Sequence, residues 1–186
     1  MSLIEWMLAG RPAPPPDLVK QAIVKEYAYK YSLNILIETG TFLGNMVAAT
    51  KDTFRQIYSI ELQPQLYEQA KQRFSQLNHI KIVHGDSSEV LQQILPSISE
   101  ACLFWLDAHY SCAAIPTARG PKETPILEEL NLILNHPYHH VILIDDIRLF
   151  VGSNDYPLLY NLQQFIYTCS PEANLTVEDD IMRVLL

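Results

Sequence analysis

The stretch Asn34–Gly44, N-I-L-I-E-T-G-T-F-L-G, decides how this chain is read. Ile35, Leu36 and Ile37 make a continuous apolar run, an acid follows, and two glycines close a turn. A helix is expected from about Asn45, which completes the strand–turn–helix layout of a nucleotide-binding βα unit. The dinucleotide version of that turn needs glycine at positions 38, 40 and 43, which here hold Glu38, Gly40 and Leu43. A carboxylate at the strand end repels the pyrophosphate that a dinucleotide brings to the helix N-terminus. It attracts a ligand that carries an ammonium and a sulfonium.

The same alternation continues outward. Downstream, Ile57–Leu62 is a second strand ending on Glu61, and Gln63-Pro64 starts a helix with proline in its first turn. Ile80–His84 is a third strand followed by Gly85-Asp86, with Ser87 or Ser88 as the cap of the next helix. Ala101–Leu106 is a fourth strand closed by Asp107, and Val141–Ile144 a fifth, ending on Asp145-Asp146. Helices are expected from Thr124-Pro125 and over 157–168, and Leu175–Glu178 and Ile181–Leu186 pair around a tight turn at Asp179-Asp180. The segment 108–123 has no periodicity, and loops of that length are usually functional. Upstream, Asp17 caps a helix running to about Tyr31, and residues 10–16, G-R-P-A-P-P-P, form a stiff lead-in. Glu128 and Glu129 are read as helix surface.

Continuously apolar strands alternating with helices specify a mostly parallel sheet covered on both faces. The expected fold is α/β: seven strands, a C-terminal antiparallel hairpin, and one domain over 17–186 behind a Pro-rich lead-in at 1–16. At 186 residues the chain can bury a real core. A net charge of −8 argues against an extended nucleic-acid surface. No apolar run is long enough to span a bilayer, and no basic stretch precedes an apolar core near the N-terminus. Cys102, Cys112 and Cys169 fit no metal or disulfide pattern, so reduced thiols and a cytoplasmic location are expected.

Function is written at the strand ends. Ligands of open α/β sheets bind outside the carboxyl ends of the strands, so Glu38, Glu61, Asp86, Asp107, Asp145 and Asp146 should converge on one rim. Glu61 stands 23 residues beyond Glu38, near the offset of an acid that binds ribose hydroxyls. Asp86 is placed to accept from an adenine amino group. Together with Glu38-x-Gly40-x-x-x-Gly44 these residues suit S-adenosylmethionine better than NAD. Asp107, Asp145 and Asp146 would repel one another unless a cation sits among them, and oxygen ligands favour Mg²⁺ or Mn²⁺. His109 and Tyr110 follow Asp107, and His109 has the ordinary pKa of a general base.

The motifs IETGTFLG, YSIEL, VHGDSSEVL, LFWLDAHYS and VILIDDIRLF, in that order, resemble the class I S-adenosylmethionine-dependent methyltransferases. The last two are similar to the metal-dependent O-methyltransferases that act on catechols and macrolide sugars. That resemblance implies a Rossmann-like methyltransferase fold, with Glu38, Gly40, Thr41, Gly44, Glu61, Asp86, Ser87 and Asp107 binding the cofactor. It also implies Mg²⁺ (or Mn²⁺) on Asp107, Asp145 and Asp146. The family's base lies three residues past the first aspartate; that slot holds Tyr110, with His109 one residue early. The expected activity is methyl transfer to a hydroxyl of a chelating small molecule, such as a catechol or a sugar diol, with no nucleic-acid or membrane partner. A homo-oligomer is compatible with the sequence. The rival readings are a methyltransferase-like protein without metal or activity, an NAD-dependent oxidoreductase and a receiver-type signalling module. The last is disfavoured because its acid pair follows the first strand.

Overall fold

A computed structural model describes residues 2–110 and 117–186. Cys112 therefore lies outside the described residues. The helices are α1 (Leu3–Leu8), α2 (Asp17–Lys30), α3 (Asn45–Thr50), α4 (Pro64–Arg73), α5 (Ser87–Ile94), α6 (Ile126–Leu134) and α7 (Leu159–Cys169). The strands are β1 (Ile35–Thr39), β2 (Gln56–Glu61), β3 (Ile80–His84), β4 (Leu103–Leu106), β5 (Val141–Ile144), β6 (Asn174–Glu178) and β7 (Ile181–Leu185). They form one sheet in the order β3-β2-β1-β4-β5-β7-β6. β1 to β5 are parallel, and β7 runs antiparallel between β5 and β6. Asp179 and Asp180 both have positive φ, 51° and 61°, as the tight turn between β6 and β7 requires.

Strand pleat sorts the core into two layers. Ile35, Ile37, Phe104, Leu106, Ile142 and Ile144 face α5, α6 and α7. Leu36, Leu103, Trp105, Val141 and Leu143 face α2, α3 and α4. The same alternation, carried one step past the last apolar residue, sends Glu38, Asp107 and Asp145 to the α2 side. Among the described residues no helix is long and apolar enough to cross a membrane.

Three local expectations change. Asp17 is the first helical residue of α2 rather than its cap, because Pro16 takes the N-cap position. The cap of α5 is Asp86, whose Oδ1 accepts the N–H of Ser88 at 2.9 Å and its hydroxyl at 2.6 Å; Ser87 is the first helical residue. The lead-in contains α1, started by a capping box between Ser2 and Glu5 and anchored by Trp6, whose indole donates to Pro12 O at 2.8 Å.

Candidate functional site

β1 continues to β2 and β3 on one side, while β4 and β5 lie on the other. The boundary between β1 and β4 is thus the topological switch point, where such sheets bind ligands. The glycine turn crosses this boundary. The N–H groups of Gly40 and Thr41 both donate to Ile60 O, at 3.0 and 3.1 Å, and Asp107 N–H donates to Thr39 O at 3.1 Å. Gly40 has φ +87°, and a Cβ there would lie 2.6 Å from Asp107 O. Only glycine lets the turn lie this close to the end of β4.

Two hollows meet at the turn, and Gly40, Phe42 and Asp107 line both. The larger, about 280 Å³, lies over the ends of β2 and β3 and is lined by Glu61, Asp86, Ser87, His109 and Tyr110 among others. The smaller, about 150 Å³, lies between β1 and α2 and is lined by Glu38, Thr41, Asn45, Trp105 and Lys20. Gly44 is the left-handed residue before α3, with φ 73°.

Each acid carries its own electrostatics. Glu38 is buried, and loss of hydration pushes it up to about 8 although the Ser59 hydroxyl donates to it. Thr41 Oγ1 lies 2.6 Å from Ser59 Oγ, so the Thr41 hydroxyl donates back along the same chain. Glu61 is buried and raised by desolvation, against which the N–H groups of Gln63 and Phe42 hold it down. Glu129, on the inner side of α6, is 1% exposed and not on the helix surface; burial pushes it up to about 7.

The rim beyond β4 and β5 gathers three ligand-bearing side chains. Asp107, His109 and Asp146 each offer one atom, and the three atoms lie within 4.8 Å of one another. His109 Nδ1 is 3.4 Å from Asp107 Oδ1, and Nε2 is 3.7 Å from Asp146 Oδ2. Burial works against a charged His109 ring, but Asp107, Asp146 and Asp145 outweigh it and raise its pKa. Two carboxylates beside the ring favour its protonated form, or a cation bound between them. The donor set of two carboxylates and an imidazole fits a divalent ion, and the nitrogen favours Mn²⁺ over Mg²⁺.

Asp145 stands apart from that set. Its Oδ2 accepts from the Lys20 ammonium and its Oδ1 accepts the N–H of Asp146 at 2.8 Å. The cation that three clustered acids call for is thus supplied in part by the chain itself. Burial opposes the Lys20 charge, yet Asp145, Asp107 and Asp146 hold its proton well above the ordinary lysine range. Asp146 is lowered despite burial, because Lys20 and Arg148 flank it; Arg148 donates to Asp146 Oδ1 at 2.7 Å. Tyr110 is tied by its N–H to Glu123 O at 2.8 Å, and its ring takes the Arg119 guanidinium 5.7 Å from its centroid. Arg119 pairs with Glu123 and Lys122 with Glu128.

No protein-family model matches the chain, and no curated protein matches it by sequence. Solved structures do match. An O-methyltransferase from Bacillus cereus in complex with S-adenosylhomocysteine (SAH) is 15% identical, with 99% of this chain and 88% of that one covered and a TM-score of 0.64. The O-methyltransferase TomG from Streptomyces achromogenes, in complex with S-adenosylmethionine, is 16% identical over 94% of this chain and 82% of that one, with a TM-score of 0.65. The 23S rRNA methyltransferase ErmE is 15% identical over 88% of this chain and 67% of that one, with a TM-score of 0.53. The seven-stranded order, the antiparallel hairpin and these matches together give the chain the fold of the class I S-adenosylmethionine-dependent methyltransferases, and among them it resembles the O-methyltransferases.

Proposed function

We propose that this chain transfers a methyl group from S-adenosylmethionine to a hydroxyl of a small molecule with help from a divalent cation. The observation that carries the reading is the pair of hollows that meet at Gly40, Phe42 and Asp107, one bearing Glu38 and the other Glu61 and Asp86. Glu61 and Asp86 suit the ribose hydroxyls and the adenine amino group, with Ser87 at the wall of the same hollow. Glu38 and the Gly40-Thr41-Gly44 turn suit the charged amino-acid end. S-adenosylmethionine supplies an electrophilic methyl when bound. The chain's own contribution is alignment: Asp107 and the residues after it hold the acceptor over the junction of the hollows.

Asp107, Asp146 and His109 would hold Mg²⁺ or Mn²⁺, with Asp145 set aside by Lys20. Such an ion lowers the pKa of a hydroxyl that binds it and fixes its orientation. Three protein ligands would leave room on such an ion for a chelating acceptor, such as a catechol or a sugar diol. A His109 ring that is free of metal and has shed its second proton takes the acceptor's proton, and Tyr110 orients the acceptor. The net charge of −8 and the solved structures of O-methyltransferases support a small-molecule acceptor over RNA.

One observation favours a metal-free variant of the same chemistry: Lys20 and Arg148 already bring two cations to the acid cluster. The test is transfer of labelled methyl from S-adenosylmethionine to a generic catechol, with and without EDTA. Transfer abolished by EDTA and restored by Mn²⁺ supports the metal reading. Transfer that EDTA leaves intact selects the metal-free variant. Calorimetry that finds NAD binding and no SAH binding removes both.

A further inference from the structure

Lys20 belongs to none of the residue sets that the strand ends suggest, yet its ammonium reaches the centre of the acid cluster. Position explains how. Lys20, Ile23, Val24, Tyr27 and Ala28 recur at helical spacing, so Lys20 begins the stripe of α2 that faces the sheet. Ile23, Val24 and Ala28 on that stripe are buried against the β1–β4–β5 face, and only 16% of the Lys20 side chain remains exposed. Its Nζ bonds Asp145 Oδ2 and stands 3.5 Å from Asp146 Oδ1. The Asp145 side chain is completely buried, and its other oxygen accepts the N–H of Asp146.

We propose that Lys20 is a built-in counter-cation that withholds Asp145 from the metal and sets the affinity of the Asp107–His109–Asp146 cluster. The inference rests on the divalent-cation reading above. Oδ2 of Asp145 already holds the ammonium delivered from the α2 side, so an ion reaching that oxygen would have to displace it. Charge points the same way. Lys20 pairs with Asp145 and stands beside Asp146, while the Arg148 guanidinium is shared between Asp146 and Asp180. Removal of Lys20 leaves the cluster one positive charge poorer toward an incoming ion. Lys20 is thus a positioning residue. It acts through Asp145 and through the field at the cluster.

The experiment is titration of the purified full chain with Mn²⁺ alone, following the free ion by electron paramagnetic resonance. Circular dichroism of each variant reports folding. Lys20→Met should bind Mn²⁺ about tenfold or more tighter than the wild type, because one repelling charge is gone and Asp145 is released. Lys20→Arg should stay near the wild type, since the cation is kept. A merely structural lysine gives the opposite result, weaker or unchanged binding in Lys20→Met. Where Lys20→Met alone unfolds, the pair Lys20→Met with Asp145→Asn removes both buried charges together. Its affinity within about threefold of the wild type supports the proposal, and a loss of about tenfold overturns it by making Asp145 a ligand. The two readings fail separately. If Asp107→Asn and Asp146→Asn weaken Mn²⁺ binding while Lys20→Met does nothing, the metal stands and the role of Lys20 falls. If the wild type binds no Mn²⁺ and Lys20→Met does, the metal reading falls and Lys20 stands as the cation that replaced it. Silence in both removes both.

Discussion

The Glu61 carboxylate accepts the backbone N–H of Phe42 at 2.7 Å through Oε2 and that of Gln63 at 2.8 Å through Oε1. The acid at the end of β2 therefore closes the glycine turn from across the crevice, and it is also the residue suited to a ribose. Its removal affects both. Glu61→Gln should weaken SAH by about tenfold to a hundredfold, the size expected for charge-assisted hydrogen bonds. It should also lower the melting temperature of the ligand-free protein, because the amide turns an N–H toward one of the two backbone donors. Calorimetry and a thermal melt on the same sample check both. Full SAH affinity in the variant removes Glu61 from the ribose.

Glu38 gives a pH dependence. Burial raises it to about 8, so without a ligand it is largely protonated at pH 6 to 7. A ligand ammonium favours the ionised form, and binding must release that proton. SAH affinity should therefore rise as pH goes from 6 to 7.5, by up to about tenfold per unit, below the range where the ligand's own amino group titrates. Glu38→Gln should bind more weakly and lose the slope. Titrations at four pH values test this, and a slope that survives in the variant assigns the proton elsewhere.

Gly40 tests the close approach of turn and strand. Gly40→Ala meets a left-handed backbone, which costs about 1–2 kcal/mol. It also meets a carbonyl oxygen 2.6 Å from the new Cβ. The expected result is a cooperative but lower melt together with loss of SAH binding. A variant that binds normally would mean that the turn and β4 separate freely.

His140 supplies an acid-side prediction far from the rim. Its Nδ1 accepts the N–H of Cys102 at 3.0 Å, so the proton sits on Nε2, which donates to His136 Nδ1 at 2.8 Å. His136 Nε2 then donates to Leu95 O at 3.0 Å. Burial is the first cause that lowers His140, to about 4, with His136 and His139 adding to it. A base whose folded pKa is depressed contributes stability above its unfolded pKa and loses it as pH falls. The loss should run from about pH 6.5 to 4 and total about 3 kcal/mol. His140→Asn keeps an acceptor for Cys102 and removes the titration. Urea melts of the two proteins should thus converge as pH is lowered across that window, and parallel curves would count against a neutral buried ring.

Much of the fold is legible because apolar runs bounded by polar residues mark buried strands. β3 and β5 begin and end where the pattern places them, and the pleat carries Glu38, Asp107 and Asp145 to one side without further information. The residues that escape share one cause. Lys20 lies on the stripe with Ile23, Val24 and Ala28, and Glu129 lies between Ile126, Leu130 and Ile133 on the stripe of α6. Each is a charged residue at an apolar position of a helical period. Charge by itself suggests solvent, while position says interior, and here position decides because a partner or a shifted proton makes burial tolerable. α1 escapes for another reason. Leu3, Ile4, Trp6, Met7 and Leu8 are apolar all round, so no period stands out, and only the Ser2–Glu5 capping box marks it.

The place of β7 orders events during synthesis. It completes hydrogen bonding along β5, and its preceding turn holds the rim: Asp180 O accepts Ile147 N–H at 3.0 Å, and Asp180 Oδ1 accepts Arg148 N–H at 2.7 Å. Residues 181–185 follow in the chain everything they stabilise, so β5 is an open edge until they emerge. Asp146 and Arg148 lack their final setting until then. Slow codons or a pause just before residue 181 would prolong that exposed stage, and a chaperone that shields strand edges would act on β5 during it.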